Sequence, residues 1–357
     1  MRVRFCSPVK SHMGYAELGR IAINQLLAAG IEVSVVEIPI QGSNEDFGEL
    51  GAQAERLIGQ GGEADVNIVN MIPPRFADYR LPGVKNIGYS MFEADRIPDD
   101  WVRQCNQMDA MWVPAEWVRD VFIASGVAVP VSVVGVDAIP VPPAPPPAGP
   151  FRLLSVFQWT ARKNPVALLR AYAAAFDGDT GTVLTLKIHR HSDPVQNRAF
   201  AQNAVNAVLA RCKPRRSMPR IEIATDFFSS AQMRKLHADS HAYVSLAHAE
   251  GWGLPAWEAT LAGKPVIHTG WSAPMEFVHE QGQVRFNLSP TYGMQEFVPF
   301  YDSAMNWAEP HLDHAIEKLR DLRESYARWN ATALEQRETV NERFALARRV
   351  EQLRQAI

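Results

Sequence analysis

Two glutamates stand on either side of a glycine-containing turn: Glu250 precedes it, and Glu258 lies in the predicted helix that follows. Between them come Gly251 and Gly253, and Pro255 suits the first turn of that helix. Glycines let a ligand approach bare backbone amides, and a helix N-terminus adds partial positive charge, so the turn is suited to a phosphate. A carboxylate next to a phosphate needs hydrogen-bond donors, which sugar or ribose hydroxyls supply. The segment therefore predicts a site for a sugar or nucleotide that carries phosphate.

Each glutamate alone has an ordinary explanation. Glu258 would complement the helix dipole in a first turn, and Glu250 would be an exposed charge at a strand end. The combination of two glutamates, two glycines and a proline in one short segment is much harder to explain without a ligand.

The elements around this segment alternate between strand and helix, which is typical of parallel sheets with crossover helices. In the N-terminal part the pattern predicts strands at Val3–Pro8, Glu32–Ile38, Asp65–Asn70 and Pro130–Val136, with helices at Tyr15–Ala29 and Glu45–Ile58. In the C-terminal part it predicts strands at Arg152–Phe157, Val183–Ile188, Arg220–Ala224, Ala242–Leu246 and Pro265–Thr269. Open sheets of this kind bind ligands at the carboxyl ends of their strands, so we expect a cleft between two such sheets.

A proline-rich run separates the two parts. Seven of the 25 prolines lie between Ala138 and Pro150, and such a run favours an extended, semi-rigid spacer. We therefore predict a Rossmann-like N-terminal domain at residues 1–138, a linker at 139–150, a second Rossmann-like domain at 151–335 and a terminal helix at 336–357. A surface loop inside one larger domain is the alternative.

The composition limits the protein classes. The 357 residues carry a net charge of −3, with 47% hydrophobic and 21% charged residues, which excludes a disordered chain and disfavours a dedicated nucleic-acid binder. Cys6, Cys105 and Cys212 are too few and too scattered for a disulfide framework or a zinc site, so they fit a reducing cytoplasm. The start of the chain has no signal-peptide pattern, and no apolar stretch reaches the ~20 residues of a spanning helix. We expect a cytoplasmic protein, with peripheral contact at the inner face of the membrane left open.

The segment from Glu250 to Ala259 resembles the signature of the retaining glycosyltransferases of family 4, in a form like the bacterial group 1 enzymes. The stretch from Ser155 to Pro165 is similar to the opening of that family's C-terminal domain. Residues 92–98, 111–115 and 134–137 look like the N-terminal domain of one bacterial subgroup. The resemblance implies an α/β GT-B fold, with two Rossmann-like parallel-sheet domains facing a cleft and a C-terminal helical tail.

The resemblance also implies catalytic residues. Glu250 would contact hydroxyls of the donor sugar. Lys163, with Arg162 beside it, would neutralise the diphosphate of the donor and stabilise it as a leaving group. An ordinary pair of exposed loop cations is the alternative for Arg162 and Lys163.

Further donor contacts are implied on both sides of the expected cleft. Glu258 would bind the ribose, and Gly14 would approach the diphosphate from the N-terminal domain. The remaining implied contacts are the backbone amides of Gly251, Trp252, Gly253 and Leu254.

Two positions depart from the family pattern. Many members carry an arginine a few residues before the lysine, but this chain has Phe157 and Gln158 there, so Arg162 and Lys163 would share the diphosphate. Where many relatives place a histidine near the sugar, this chain has a segment that ends at Glu93, which we expect to contact the sugar or the acceptor.

The implied reaction moves a sugar, with retention, from a nucleotide-diphosphate sugar such as a UDP- or GDP-sugar to a hydroxyl of a glycan or lipid-linked acceptor. It would use no metal and no other cofactor, and it would belong to polysaccharide biosynthesis. Four alternatives stay open: a nucleotide-sugar epimerase, a phosphorylase on the same fold, a non-catalytic sugar-nucleotide-binding protein, and a glycosyltransferase acting on nucleic acid. Acceptor choice would lie in the loops Gln41–Glu49 and Asn70–Pro82.

Three further patterns favour a structural interpretation. The pair Asp177 and Asp179 imitates a metal motif, but aspartate and glycine at a helix end are turn formers. The alternating His189, His191 and Asp193 have no further ligand pair and read as polar residues at a strand end. A basic cluster reads as a solvated loop, with a phosphate-bearing acceptor or a membrane surface as the alternative; it comprises Lys213, Arg215, Arg216 and Arg220.

Overall fold

The computed structural model describes residues 1–40, 47–60, 62–139, 141–214, 216–294 and 300–357. Most of the predicted acceptor loop Gln41–Glu49, together with Pro140 of the linker and Arg215 of the basic cluster, lies outside the described residues. The chain divides into two compact units. The first comprises residues 1–139, 229–231 and 341–357, and the second comprises residues 140–228 and 232–340. The boundary at Ile139 falls within the proline-rich run.

The first unit contains a six-stranded sheet in which all strands are parallel, in the order β2-β1-β3-β4-β5-β6. Its strands are β1 (Arg2–Ser7), β2 (Glu32–Glu37), β3 (Val66–Asn70), β4 (Lys85–Tyr89), β5 (Ala110–Val113) and β6 (Val131–Val133). Its helices are α1 (Gly14–Ala28), α2 (Gly48–Arg56), α3 (Asp99–Cys105) and α4 (Glu116–Ala124). The four strands that the sequence pattern predicts are present, and β4 and β5 complete the sheet. Both are short, and their residues after the first are buried.

Helix α1 lies directly on the carboxyl ends of β1 and β3. Asn70, the last residue of β3, donates from Nδ2 to Ser7 Oγ at 2.8 Å and to the carbonyl of Tyr15 at 2.7 Å. Ser7 and Asn70 are fully buried. A Cβ atom on Gly19 would lie only 2.1 Å from Ser7 Oγ and 2.8 Å from Asn70 Nδ2. This close approach fixes the start of α1, where Gly14 stands, against the edge of the sheet.

The second unit contains another six-stranded parallel sheet, in the order β12-β11-β10-β7-β8-β9. Its strands are β7 (Phe151–Gln158), β8 (Thr182–His189), β9 (Arg220–Ala224), β10 (Ala242–Ser245), β11 (Val266–Thr269) and β12 (Gln283–Val284). A separate antiparallel pair joins β13 (Phe286–Pro290) to β14 (Asn306–Pro310). The helices are α5 (Pro165–Ala175), α6 (Pro194–Leu209), α7 (Ser230–Ala238), α8 (Leu254–Leu261), α9 (Leu312–Glu324) and α10 (Tyr326–Arg343).

The core of the second unit lies between its parallel sheet and the helices that cover the sheet. Leu153, Leu184 and Val244 come from three neighbouring strands, and Leu168 and Leu319 come from α5 and α9. All five are at least 98% buried, and removing such side chains from water is the main favourable contribution to folding. The two six-stranded parallel sheets with their helices confirm the predicted α/β fold class.

The C-terminal segment returns to the first unit through helix α11 (Leu346–Ala356). The amide of Ala138 donates to the carbonyl of Phe344 at 2.8 Å, and the Arg349 side chain donates to the carbonyl of Val136. The predicted helical tail is therefore present and packs against residues 136–138 of the first unit. Within the described part of the chain, we find no helix of the length and apolarity needed to cross a membrane.

We predict that Gly19→Ala lowers the free energy of unfolding by about 1–3 kcal/mol, because the new methyl group overpacks a site held by hydrogen bonds. Gly14→Ala is the matched control: a Cβ there has no atom within 4 Å, so the stability should stay near that of the wild type. Urea unfolding of the two variants checks this. Equal midpoints for both variants would show that α1 can move away from β1 and β3 at no cost.

Candidate functional site

Two loops meet at the carboxyl edge of the second sheet. Strands β7 and β10 are parallel neighbours, with Leu154 paired to Tyr243, so the loops that follow them leave the sheet side by side. The amide of His248 donates to the carbonyl of Arg162 at 2.8 Å, and Arg162 Nη1 donates to the carbonyl of Ala249 at 2.8 Å. These bonds hold the loop that carries Arg162 and Lys163 against the loop that carries Glu250.

The centre of the site is one carboxylate between two cations. Lys163 Nζ lies 2.5 Å from Glu250 Oε1 and 2.7 Å from Oε2, and Arg162 Nη1 lies 2.9 Å from Oε2. The three side chains are only 10–16% exposed. Burial alone would raise the pKa of Glu250, but the charges of Lys163 and Arg162 outweigh it and lower that pKa to about 2. The carboxylate is therefore ionised, and the cluster of Arg162, Lys163 and Glu250 keeps one net positive charge.

The start of α5 orients the cations. Asn164 adopts the left-handed conformation, with φ 48° and ψ 51°, and its side chain accepts a hydrogen bond from the amide of Ala167 at 3.2 Å. It thereby caps the helix, which begins with Pro165 in the position that proline prefers. The capped turn directs the chain sharply from Lys163 into the helix.

The glycine turn presents its backbone outside the sheet. Gly253 caps α8 with φ 90°, and a Cβ there would lie 3.1 Å from Pro274 Cγ, so both conformation and space favour glycine. The Trp252 side chain points away into an aromatic cluster, with its ring 5.4 Å from Trp257 and 5.2 Å from Phe277. What the turn from Gly251 to Leu254 offers to a ligand is therefore backbone.

Glu258 lies on α8, and its side chain is 45% exposed. One carboxylate oxygen is 3.0 Å from Nε2 of His237, which is almost completely buried. This contact orients the carboxylate while leaving much of it open to a ligand.

Ser272 holds the backbone of Glu250. Its hydroxyl accepts from the amide of Glu250 at 3.0 Å and donates to the carbonyl of Trp271 at 2.6 Å. Its φ of 69° and ψ of −169° lie in a region that only glycine adopts without strain. The sequence analysis missed this residue, since a serine in the loop after β11 carries no signal of its backbone conformation.

The antiparallel pair supports the same loop from another side. His248 is completely buried and stacks on Trp307 of β14, with ring centroids 4.3 Å apart. Its Nδ1 donates to the carbonyl of Ala308 at 2.9 Å, and its Nε2 lies 3.1 Å from the Tyr292 hydroxyl. Burial lowers the pKa of His248 to about 4, so the imidazole is neutral. The Tyr292 hydroxyl lies between His248 Nε2 and a carboxylate oxygen of Glu309, 3.3 Å away, and its one proton can be donated to only one of them. The sequence analysis missed these supporting residues too.

The other two predicted residues belong to the first unit. Gly14 is the first residue of α1 and is exposed, with open space where a side chain would be. Glu93 is half-buried in the loop after β4, near Tyr15. The Tyr15 hydroxyl lies 2.9 Å from Ser90 Oγ and donates to the carbonyl of Met91 at 3.2 Å, which ties the loop after β4 to α1. The roles predicted for Gly14 and Glu93 stay predictions.

The aspartates that imitate metal motifs serve the backbone. Asp177 accepts from the amides of Arg216 and Ser217, and Asp179 accepts from Gly181 and Thr182 around Gly178, which has φ 83°. Asp193 caps α6 by accepting from the amide of Gln196 at 2.7 Å. The turn interpretation of the first pair is confirmed. Among the described residues, no group of three or more histidine, cysteine, aspartate or glutamate side chains could hold a metal ion.

Comparison with solved structures identifies the fold of the chain. No protein-family model matches the chain, and no curated protein matches its sequence. Sucrose-phosphate synthase from Thermosynechococcus elongatus is similar in structure, with a TM-score of 0.67, 13% identity and coverage of 99% of this chain and 98% of that chain. Anabaena HepE, in complex with UDP and glucose, has a TM-score of 0.64 and 15% identity, covering 99% of this chain and 98% of that chain.

Similarity to a longer protein is partial. S. aureus TarM, in complex with UDP among other ligands, has a TM-score of 0.58 and 12% identity, with 82% of this chain covered. The chain spans 55% of TarM, about half its length. At these identities the likeness shows the fold alone, and that fold is the predicted GT-B fold.

We predict that Ser272→Gly is more stable than Ser272→Ala by about 1–3 kcal/mol, because both lose the hydroxyl but only glycine relieves the backbone strain. Ser245 provides the control pair, since it is a buried residue of the regular strand β10. There the order should reverse, with glycine less stable than alanine by about 0.5–1 kcal/mol. Denaturant unfolding of the four variants measures both differences, and the same order at both positions would refute the assignment of strain to Ser272.

Proposed function

We propose that the protein is a retaining glycosyltransferase of the family 4 type, which moves a sugar from a nucleotide-diphosphate sugar to an acceptor hydroxyl. The observation that carries this proposal is the buried cluster of Arg162, Lys163 and Glu250 at the carboxyl edge of a Rossmann-like sheet, beside the glycine turn that begins α8. The GT-B fold supports it, since HepE and TarM, which share that fold, have been seen with UDP. Family, mechanism and substrates are part of the proposal.

Arg162 and Lys163 would bind the diphosphate. As the bond between the anomeric carbon and the diphosphate oxygen breaks, negative charge grows on the leaving group. Once bound to the diphosphate, these two cations would stabilise that charge electrostatically. The backbone amides between Gly251 and Leu254, at the N-terminus of α8, would add donors to the same phosphates. Gln158 at the end of β7 carries no charge, so the neutralisation would rest on this pair.

Glu250 would accept hydrogen bonds from hydroxyls of the donor sugar, and Glu258 would accept them from the ribose. Its contact with His237 leaves Glu258 half exposed, as a ribose contact requires. In the other unit, the open space at Gly14 would let a phosphate approach the backbone, and Glu93 would contact the sugar or the acceptor.

The reaction would proceed on one face of the sugar. The acceptor oxygen forms the new bond to the anomeric carbon from the side that the diphosphate leaves, and a phosphate oxygen takes the acceptor proton. The products are a glycoside with the donor's anomeric configuration and a nucleoside diphosphate. No carboxylate nucleophile is required, which agrees with a Glu250 whose oxygens are already bonded to two cations. Because side chains supply the positive charge, the proposal includes no metal.

The acceptor in this proposal is a glycan or a lipid-linked sugar. An epimerase would isomerise the donor with no acceptor present, and a phosphorylase would require inorganic phosphate. A non-catalytic sugar-nucleotide-binding protein would bind the donor without consuming it. A nucleic-acid glycosyltransferase would transfer to DNA or RNA. Product analysis with and without acceptor therefore separates these four alternatives from the proposed transfer.

We expect a panel of UDP- and GDP-sugars to include at least one that raises the melting temperature and is consumed with an acceptor. Lys163→Met should then reduce transfer on the order of 10²-fold or more, because the leaving group loses a preorganised cation. The matched control is Lys235→Met, which removes a lysine of α7 whose side chain is 74% exposed and pairs with Asp239. It should keep full activity. Wild-type turnover in Lys163→Met would contradict the proposed role of Lys163.

Retention can be tested on the same reaction. Proton NMR of the first product formed should show the anomeric configuration of the donor, because attack and departure use the same face. Spectra recorded at early times avoid later mutarotation of any hydrolysed sugar. A product of opposite configuration would remove the retaining mechanism while leaving a glycosyltransferase.

A further inference from the structure

We infer that Glu250 competes with the donor diphosphate for Arg162 and Lys163, and that this competition makes the site selective for nucleoside diphosphates that carry a sugar. The inference rests on the proposed function, because it assigns the diphosphate to these two cations. It gives Glu250 a second role besides contact with the sugar: the carboxylate occupies the anion site while no donor is bound.

In the structure, the Glu250 carboxylate makes the contacts with Arg162 and Lys163 that a bound phosphate would make. Both oxygens of Glu250 are bonded to cations, Oε1 to Lys163 and Oε2 to Lys163 and Arg162, at 2.5–2.9 Å. These are the distances of strong charge-assisted hydrogen bonds, and they are the bonds that a phosphate oxygen would make with the same side chains. The amide of Glu250 is held by Ser272 at 3.0 Å, so the carboxylate has a fixed base from which to compete.

Binding of a diphosphate that carries no sugar requires an unfavourable exchange of hydrogen bonds. To bind Arg162 and Lys163 it must take their hydrogen bonds from Glu250 or share them beside a like charge. A buried carboxylate that loses its cations carries a large desolvation penalty unless other donors replace them. Glu250 is 93% buried, so water supplies few such donors. Inorganic phosphate and pyrophosphate should therefore bind weakly.

A diphosphate with a sugar attached resolves this conflict. When its phosphates draw Arg162 and Lys163 away, its sugar hydroxyls donate to the carboxylate that has lost them. Charge and hydrogen bonds are then satisfied on both sides. After transfer, the nucleoside diphosphate no longer supplies these hydroxyls, so Glu250 regains its cations and product release is favoured.

The test measures binding and needs no turnover. Isothermal titration of inorganic pyrophosphate into Glu250→Gln should give an affinity about tenfold or more tighter than into wild type, because a nearby like charge has been removed from a poorly solvated site. The matched control is Glu222→Gln. Glu222 lies on β9 and pairs at 2.8 Å with Arg152, near the start of β7. The loop that carries Arg162 and Lys163 follows the other end of β7, so replacing Glu222 should leave the pyrophosphate affinity unchanged.

The nucleotide arm uses UDP and UDP-glucose. The preference of wild type for UDP-glucose over UDP should shrink severalfold in Glu250→Gln, mainly because UDP binds more tightly. Pyrophosphate affinity in Glu250→Gln that equals or falls below that of wild type would overturn the inference. If pyrophosphate binding tightens as expected but no nucleotide sugar is transferred, the proposed function fails and the competition at the anion site stands.

A second measurement covers the case in which Glu250→Gln does not fold. A crystal structure of wild-type protein with pyrophosphate at this site should show at least one of Arg162 and Lys163 more than 4 Å from the Glu250 carboxylate. All three ion-pair contacts intact beside a pyrophosphate bound to the same cations would contradict the exchange.

Discussion

A buried carboxylate held between two cations is the constraint on which the second unit's candidate site depends. Burial raises the pKa of Glu250, the charges of Lys163 and Arg162 outweigh that effect, and the carboxylate in turn offsets the repulsion between the two cations. The three residues come from two loops that are far apart in sequence. They meet because β7 and β10 are parallel neighbours whose loops leave the same edge of the sheet. Sheet order therefore decides which side chains can form the cluster, and the cluster in turn ties the two loops together.

Two residues that position this cluster have strained backbone conformations. Asn164 and Ser272 both adopt positive φ, one directly after Lys163 and the other bonded to the amide of Glu250. Such conformations persist only where neighbouring contacts determine them. For Asn164 the contact is the helix cap of α5, and for Ser272 it is a pair of hydrogen bonds. On the remaining side, neutral His248 stacks on Trp307, and the Tyr292 hydroxyl lies 3.1 Å from its Nε2 and 3.3 Å from the carboxylate of Glu309.

The fold class could be predicted from the sequence because the spacing of hydrophobic residues and the positions of glycines depend on local structure. It also selected Glu250, Arg162 and Lys163, although the pairing of the two loops was implied by a family resemblance and not by the residues alone. It missed Ser272, because nothing in a serine's identity reveals a φ that tertiary contacts impose. It missed Tyr292 and Trp307, because the strands β13 and β14 are an isolated antiparallel pair whose packing partner, His248, is distant in sequence. Strands β4 and β5 were missed because they are only five and four residues long.

The distribution of residues between the two units has a consequence for specificity. The cluster, the glycine turn and Glu258 all belong to the second unit and rest on one sheet and its hydrogen bonds. Gly14 and Glu93 rest on the first sheet, where Gly19, Ser7 and Asn70 set the position of α1. If the first unit recognises the acceptor, as the sequence predicts for its loops, acceptor preference could change through substitutions there while the cations that would bind the diphosphate keep their contacts.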